Sequence, residues 1–484
     1  MTKSKPNILW ITTDRQRFDT LGCYGNLWTR TPHLDALAGK GVLFEHAYCQ
    51  SPICSPSRAS FLTGRYPRTT RVNRNGQVIP ADERLASRLF ADAGYLCGHV
   101  GKMHLAPGAP QAGHWSERRI DDGYVFYQWS LHHNNAEMSP YAAWLDQQGV
   151  DYHAEPVNGS PYVQFGLPSA QTNVSWIADQ VIGFVRGCAK VKKPWFCTMG
   201  IEDPHNPFDP PREYLERYLP QLDRIPLPRY SPGELDTKPV FQRIDRDGVW
   251  GSGAGHFAAS QMSEDDHRLI RAAYWAQIDH IDAVLGRVLN ALRNADQADN
   301  TIIVFHADHG EMLGDHGIYF QGAYFYQEML HIPLLIHWPT GLAGPRRCPG
   351  LVELVDIAPT LLEAAGLPVY PGMQGCSLWP ILSGTVDAQP HREDVYAEYY
   401  QAIPNTYKRC GGAHATALRS RDYFISVVHT LEAGELYDLR KDPGEVHNLW
   451  DDTDYRDVKS KLLKRLCDRM AATIDPLPPV LAAY

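Results

Sequence analysis

The sequence predicts an α/β fold followed by a smaller α+β unit. Three observations predict it: short apolar runs without alternation, a long amphipathic helical stretch between two of them, and a change of pattern near residue 385. A chain of 484 residues suits one large α/β domain plus a smaller one.

The apolar runs are Ile8–Thr13, Tyr95–Val100, Trp195–Ile201 and Thr301–His306. Continuous apolar runs of this length belong to strands buried on both faces, as in parallel sheets. Ser263 opens the helical stretch, with Glu264, Asp265 and Asp266 in a first turn where the helix dipole favours negative charge. Its apolar face runs Ile270, Tyr274, Ile278, Ile281, Leu285, Val288 and Leu292, as in a core-packing helix. Residues 105–170 and 204–260 resist assignment. They are rich in Gly, Pro and aromatic residues, as binding loops and ordinary surface connections both are. Beyond residue 385, Val395–Tyr400, Thr416–Arg419, Tyr423–Val428 and Glu435–Leu439 read as short antiparallel strands. A turn at Asp442-Pro-Gly, a helix from Tyr455 to Thr473 and a Pro-rich tail complete the chain. The expected domains are residues 1–385 and 386–484.

Composition narrows the function. Apolar residues make up 44% and charged residues 21%, which excludes disordered and coiled-coil classes. The net charge, 46 − 55 = −9, comes without a basic block, so neither nucleic acid nor an anionic membrane is an expected partner. An anionic substrate would need local positive charge in a cleft. No apolar run reaches the roughly 18 residues of a membrane span, and no signal peptide is recognisable, so the expected compartment is the cytoplasm. The ten cysteines include no Cys-x-x-Cys pair and read mostly as small buried residues.

Chemistry-bearing residues follow each apolar run. Asp14 follows the first, Gly101-Lys102-Met103-His104 the second, Asp203-Pro204-His205 the third and Asp308-His309-Gly310 the fourth. Ligand sites of open α/β sheets lie beyond the carboxyl ends of the strands. Any one of these residues alone is an ordinary turn residue or cap; together they point to a shared site. Asp14, Asp308 and His309 suit a hard divalent ion such as Ca²⁺, Mn²⁺ or Mg²⁺. In the segment from Cys54 to Arg65, Pro56 fits a first helical position and Gly64 a stop. Cys54 then sits at a helix N-terminus, with Arg58 one turn on. That pattern is open to two readings: an activated cysteine nucleophile, or a buried cysteine before a short helix.

Cys54-Ser-Pro-Ser-Arg58 followed by Ala59-Ser-Phe-Leu-Thr-Gly-Arg65 resembles the sulfatase signature. Further segments resemble the same family in the same order: Pro6–Asp14, Leu21–Gly25, Thr31–Ala38, Gly101–His104, Pro204–Phe208, Ala307–His316 and Glu435–Glu445. The resemblance implies the alkaline phosphatase superfamily: an α/β sandwich with a large mixed central sheet and a small C-terminal antiparallel sheet. It implies conversion of Cys54 to Cα-formylglycine by a formylglycine-generating enzyme. It also implies one divalent ion, Ca²⁺ ahead of Mn²⁺ or Mg²⁺, on Asp14, Cys54, Asp308 and His309. Hydrated, the aldehyde would attack sulfur with one hydroxyl, and deprotonation of the other would release sulfate. Arg58 would stabilise that diol, Lys102 would neutralise a sulfate oxygen, and His104 would accept the diol proton. His205 would bind the ester or protonate the leaving oxygen. Asn75, which reads as a turn residue, and Gln321 would contact the substrate.

Two positions depart from the family pattern. Arg15 stands where many members have a second Asp or a Gln, which removes one oxygen ligand or turns a cation toward the substrate. Gln321 stands where many have a lysine and can donate only a neutral hydrogen bond. The implied activity is hydrolysis of an aryl, alkyl or carbohydrate sulfate monoester, the substrate being a small molecule or a glycan. A phosphonate monoester hydrolase or phosphodiesterase is the alternative within the superfamily, and a non-catalytic anion- or glycan-binding relative is the alternative outside enzymes. Trp115 and Trp129 could stack on a ring or simply pack. The tail Pro476–Tyr484 is a candidate contact for a homo-oligomer.

Overall fold

β1 (Asn7–Thr13) is buried along its whole length, which explains why its sequence shows no alternation. The computed structural model describes residues 5–107, 119–131, 139–153, 155–248, 257–386, 391–400, 413–429 and 431–479. Along the chain follow β2 (Val42–Tyr48), β3 (Leu96–Gly101) and β4 (Phe126–Trp129). A two-stranded ribbon, β5 (Glu155–Pro156) and β6 (Gln164–Phe165), precedes β7 (Trp195–Gly200) and β8 (Thr301–Ala307). β9 (His331–Ile332), β10 (Leu334–His337) and β11 (Arg346–Glu353) complete the large mixed sheet. Its order is β11-β2-β10-β8-β1-β7-β3-β4, with β9 beside β2. β1 is parallel to both β7 and β8, and β3 to β7 and β4, whereas β10 runs antiparallel to β8 and β2.

Alternate residues of each central strand serve opposite faces. Leu9 and Ile11 of β1, with Ile303 and Phe305 of β8, pack under the helices Asn173–Val191 and Glu264–Asn294. Ile8, Trp10, Ile302 and Val304 pack toward the helices Cys54–Thr63 and Ile357–Ala364. The long helix starts where the sequence predicts: Ser263 caps it, and the Asp266 side chain returns the bond in a capping box.

β12 (Asp394–Tyr400), β13 (His414–Ser420), β14 (Tyr423–Val428) and β15 (Ala433–Asp438) form a separate antiparallel sheet in sequence order. The helix Arg456–Ala472 buries Leu466 against Tyr396, Leu418, Ile425 and Leu436 of that sheet. The α/β expectation with a C-terminal antiparallel sheet therefore holds. β2, β10 and β11 were not among the predicted strands. β2 carries Glu45 and His46, and β11 carries Pro349 and a register shift between Cys348 and Leu351, so neither reads as an uninterrupted apolar run. Trp115 and residues 480–484 of the tail lie outside the described residues. Trp129 is buried at the end of β4, in a packing position. No described helix is long and apolar enough to cross a membrane.

Candidate active site

The register of the central strands aligns their carboxyl ends. Thr13 pairs with Ala307 and Thr12 with Gly200, while Gly101 pairs with Gly200. Asp14, Asp308, Lys102 and Glu202 therefore leave the sheet along one edge. Gly101 and Gly200 permit the close approach there. A Cβ on Gly101, whose φ is 97°, would lie 2.0 Å from the Gly200 carbonyl oxygen, and one on Gly200 would lie 2.2 Å from that of Lys102.

Asp14, Cys54, Asp308 and His309 are all buried, and one ligand atom from each lies within 4.8 Å of the others. His309 Nδ1 is 2.8 Å from the Gly310 carbonyl, so that nitrogen carries the hydrogen and Nε2 turns a lone pair toward the cluster. Nε2 is 3.1 Å from Cys54 Sγ. Burial, followed by the charges of Asp14 and Asp308, pushes the Cys54 thiol up, so the thiol stays protonated. Two carboxylates and one imidazole fit an oxygen-preferring divalent ion.

Arg58 is 2% exposed and spans the cluster. Its Nη2 donates to Asp14 Oδ2 at 3.0 Å, its Nε to Asp308 Oδ2 at 2.8 Å and its Nη1 to the Lys102 carbonyl at 2.8 Å. Lys102 Nζ lies 2.9 Å from Asp14 Oδ2 and 3.2 Å from Glu202 Oε1. Burial opposes ionisation of Asp14, but the cations Lys102 and Arg58 outweigh it and hold the carboxyl well below its usual range. Burial likewise opposes the Lys102 charge, and Asp14 and Glu202 keep the ammonium protonated.

Cys54 is the first residue of its helix, and Gly64 ends that helix in the left-handed region. Pro56 is thus third in the helix rather than first, still within the turn whose N–H groups lack helical partners. The N-cap Ile53 has no side-chain acceptor; Asn75 Oδ1 accepts from Ser55 N at 2.9 Å instead. Asn75 thus holds the helix start that carries Cys54. Gln321 is buried, with Oε1 3.4 Å from Cys54 Sγ.

His104 and His205 stand half-buried past β3 and β7. His205 Nδ1 lies 2.5 Å from the Asn206 carbonyl. Burial, then Lys102 and Arg58, hold His104 well below the usual imidazole range; burial, then Arg15 and Lys102, do the same for His205. Both are neutral imidazoles at rest.

The structure thus brings every predicted site residue to one edge of the sheet. It adds two acids that sequence reasoning missed. Glu202 holds Lys102, and Glu311 Oε2 accepts from Arg15 Nη1 at 3.2 Å. Glu202 directly follows the apolar run Trp195–Ile201, as Asp14 follows Ile8–Thr13, a signal eclipsed by the neighbouring Asp203-Pro204-His205. Glu311 sits three residues past Asp308, inside a segment already singled out.

Residues 6–367 match the family model described as Sulfatase, and residues 314–472 the one described as N-sulphoglucosamine sulphohydrolase, C-terminal. An arylsulfatase of Clostridium perfringens (strain 13 / Type A) is 29% identical over 481 residues, covering 96% of this chain and 94% of its own. An N-acetylglucosamine-6-O-sulfatase of Bacteroides thetaiotaomicron is 25% identical over 496 residues, covering 96% and 86%. The solved phosphonate monoester hydrolase of Agrobacterium radiobacter superposes with a TM-score of 0.84 at 26% identity, covering 98% of this chain and 97% of its own.

Proposed function

Because this chain belongs to the sulfatase family, we propose that it hydrolyses a sulfate monoester, with the side chain of Cys54, oxidised to the aldehyde, as the attacking group. One observation carries this reading: Cys54 opens a buried helix against Asp14, Asp308 and His309, with Lys102 beside them. When hydrated, that aldehyde would supply two hydroxyls, one to attack sulfur and one whose deprotonation would let sulfate depart. A divalent ion, with Ca²⁺ ahead of Mn²⁺ or Mg²⁺, would be held by Asp14, Asp308, His309 and the Cys54 side chain, and would supply Lewis acidity toward the ester oxygen.

The remaining work falls to this chain's own groups. Arg58 fixes the separation of Asp14 and Asp308. Lys102, kept charged by Asp14 and Glu202, binds a sulfate oxygen. His104, kept neutral, accepts the proton that release of sulfate requires. His205, with Nδ1 on the Asn206 carbonyl, presents Nε2 to the ester, takes up a proton as the anion binds and gives it to the leaving oxygen. Asn75 acts on the site by holding the helix start, and Gln321 offers a neutral amide beside Cys54. The similarity to an N-acetylglucosamine-6-O-sulfatase supports a carbohydrate sulfate as one candidate ester.

A second reading has its own support. Two solved phosphonate monoester hydrolases superpose with TM-scores of 0.84 at 25% and 26% identity. The deciding experiment compares kcat/KM for a sulfate monoester, a phosphate diester and a phosphonate monoester sharing one aryl leaving group. The protein used carries the aldehyde at Cys54, verified by peptide mass. The expected result is a sulfate preference. A diester or phosphonate preference assigns the protein to the second reading.

A further inference from the structure

Arg15 reaches the site from a constrained backbone. Its φ of 61° lies in the left-handed region, uncommon for so large a side chain. Its N–H donates to Asp308 Oδ1 at 3.1 Å, and its carbonyl accepts from the Tyr274 hydroxyl at 2.5 Å. The side chain is 5% exposed and lies over the Phe320 ring, 5.4 Å from its centroid. Nη1 is engaged twice, by Asn206 Oδ1 at 3.0 Å and by Glu311 Oε2. Nε is buried and has no acceptor among the described residues. Buried N–H groups are seldom left this way, and a guanidinium held from three sides without one acceptor invites a ligand there. Arg15 directly follows Asp14, and its N–H and Nη1 bind Asp308 and Glu311 of the segment that carries His309. The vacant donor is therefore buried, on the residue next to Asp14 of the cluster that holds Cys54.

We propose that Arg15 binds the transferred anionic group itself, its Nε edge sharing the non-bridging oxygens with Lys102, and so selects the anion. The inference rests on the reading of Cys54 as the attacking residue. A guanidinium edge offers parallel N–H bonds to two oxygens of one tetrahedral group, which an ammonium cannot do. Glu311 cancels most of the Arg15 charge, so the contribution is a directed hydrogen bond rather than net positive potential. That favours a singly charged sulfuryl ester over a doubly charged phosphate monoester. It also assigns a use to the position where the family pattern has an acidic residue or a Gln.

The test measures binding of inorganic sulfate by calorimetry to metal-loaded Cys54→Ala protein, alone and combined with Arg15→Gln or Arg15→Lys. Metal content and melting temperature are recorded for each. Loss of one charge-assisted bond predicts sulfate binding weakened about ten- to a hundredfold in both combinations, with metal content unchanged. Arg15→Lys keeps a charge for Glu311 and guards against a folding defect in Arg15→Gln. Sulfate affinity within twofold of the parent in a folded, metal-loaded Arg15→Lys combination overturns the proposal. Wild-type turnover of an aryl sulfate is measured alongside. Arg15-dependent sulfate binding without turnover by aldehyde-bearing wild type would leave Arg15 an anion-binding residue and overturn the proposed function.

Discussion

Cys54 Sγ stands 3.1 Å from His309 Nε2, which joins the first residue of one helix to the second residue past β8. The contact places the side chain proposed for oxidation directly among the residues proposed for the metal. It also separates two functions that a cysteine here could have had. The thiol is buried and kept protonated, so this cysteine is poorly suited to act as a thiolate.

Metal removal tests the donor set. Arg58 and Lys102 already neutralise Asp14 and Asp308, so the metal-free protein is expected to fold. Ion binding to the native state alone adds about 2.7 kcal/mol at a hundred times Kd. Titrating Ca²⁺ or Mn²⁺ into chelated protein should raise the melting temperature, and His309→Ala should abolish the rise. A rise that persists in His309→Ala places the ion elsewhere.

Arg58→Met leaves Asp14 and Asp308 as buried carboxylates that have lost their shared cation. Breaking a buried pair from one side costs about 3–5 kcal/mol. Urea unfolding of the chelated variant should show a loss of that order, reduced by a saturating divalent ion. A loss that is the same with and without the ion would contradict the account.

Asn75→Ala removes the acceptor for Ser55 N at the start of the Cys54 helix. Loss of such a cap costs about 1 kcal/mol. Asn75→Asp retains an acceptor oxygen and should recover most of that stability. Denaturant midpoints of the two variants check this, and equal losses in both would count against the capping role.

Stability should depend on pH through histidines away from the site. Burial alone would lower the His316 pKa, but a hydrogen bond to Glu234 and the charge of Glu328 raise it to about 9. A raised pKa gives stability that is complete below about 6.5 and is lost as the pH climbs through about 9. His99, His280 and His331 are held at about 3, chiefly by burial. They stay neutral in the fold while the unfolded chain protonates them, so stability falls as the pH drops below about 6.5. The urea midpoint should therefore peak near neutrality, and His316→Gln should flatten only the alkaline limb. An unchanged alkaline limb would rule out this role for His316.

Much of the site is legible in the sequence because parallel strands deliver their ends to one edge. Asp14, Lys102 and Asp308 each follow an apolar run closely, and the run marks the strand. Cys54 and Arg58 are legible from the Pro and Gly that bound their helix, although the helix opens two residues before Pro56. The remainder depends on contacts distant in the chain. Asn75 reads as a turn residue until Ser55 is seen to need an acceptor, and Arg15 reads equally as a lost ligand or a cation turned to the substrate until Glu311 and Asn206 are seen to hold it. β11 hides behind Pro349 and a bulge, which break the pattern that marks the central strands.

The most direct test of the central claim concerns Cys54. Aryl sulfate turnover would be measured for wild-type protein whose Cys54 peptide carries the aldehyde by mass, beside Cys54→Ala at equal metal content. The account predicts turnover that scales with the aldehyde fraction and is absent from Cys54→Ala. Equal turnover by the two proteins, or none by fully converted wild type, would contradict it.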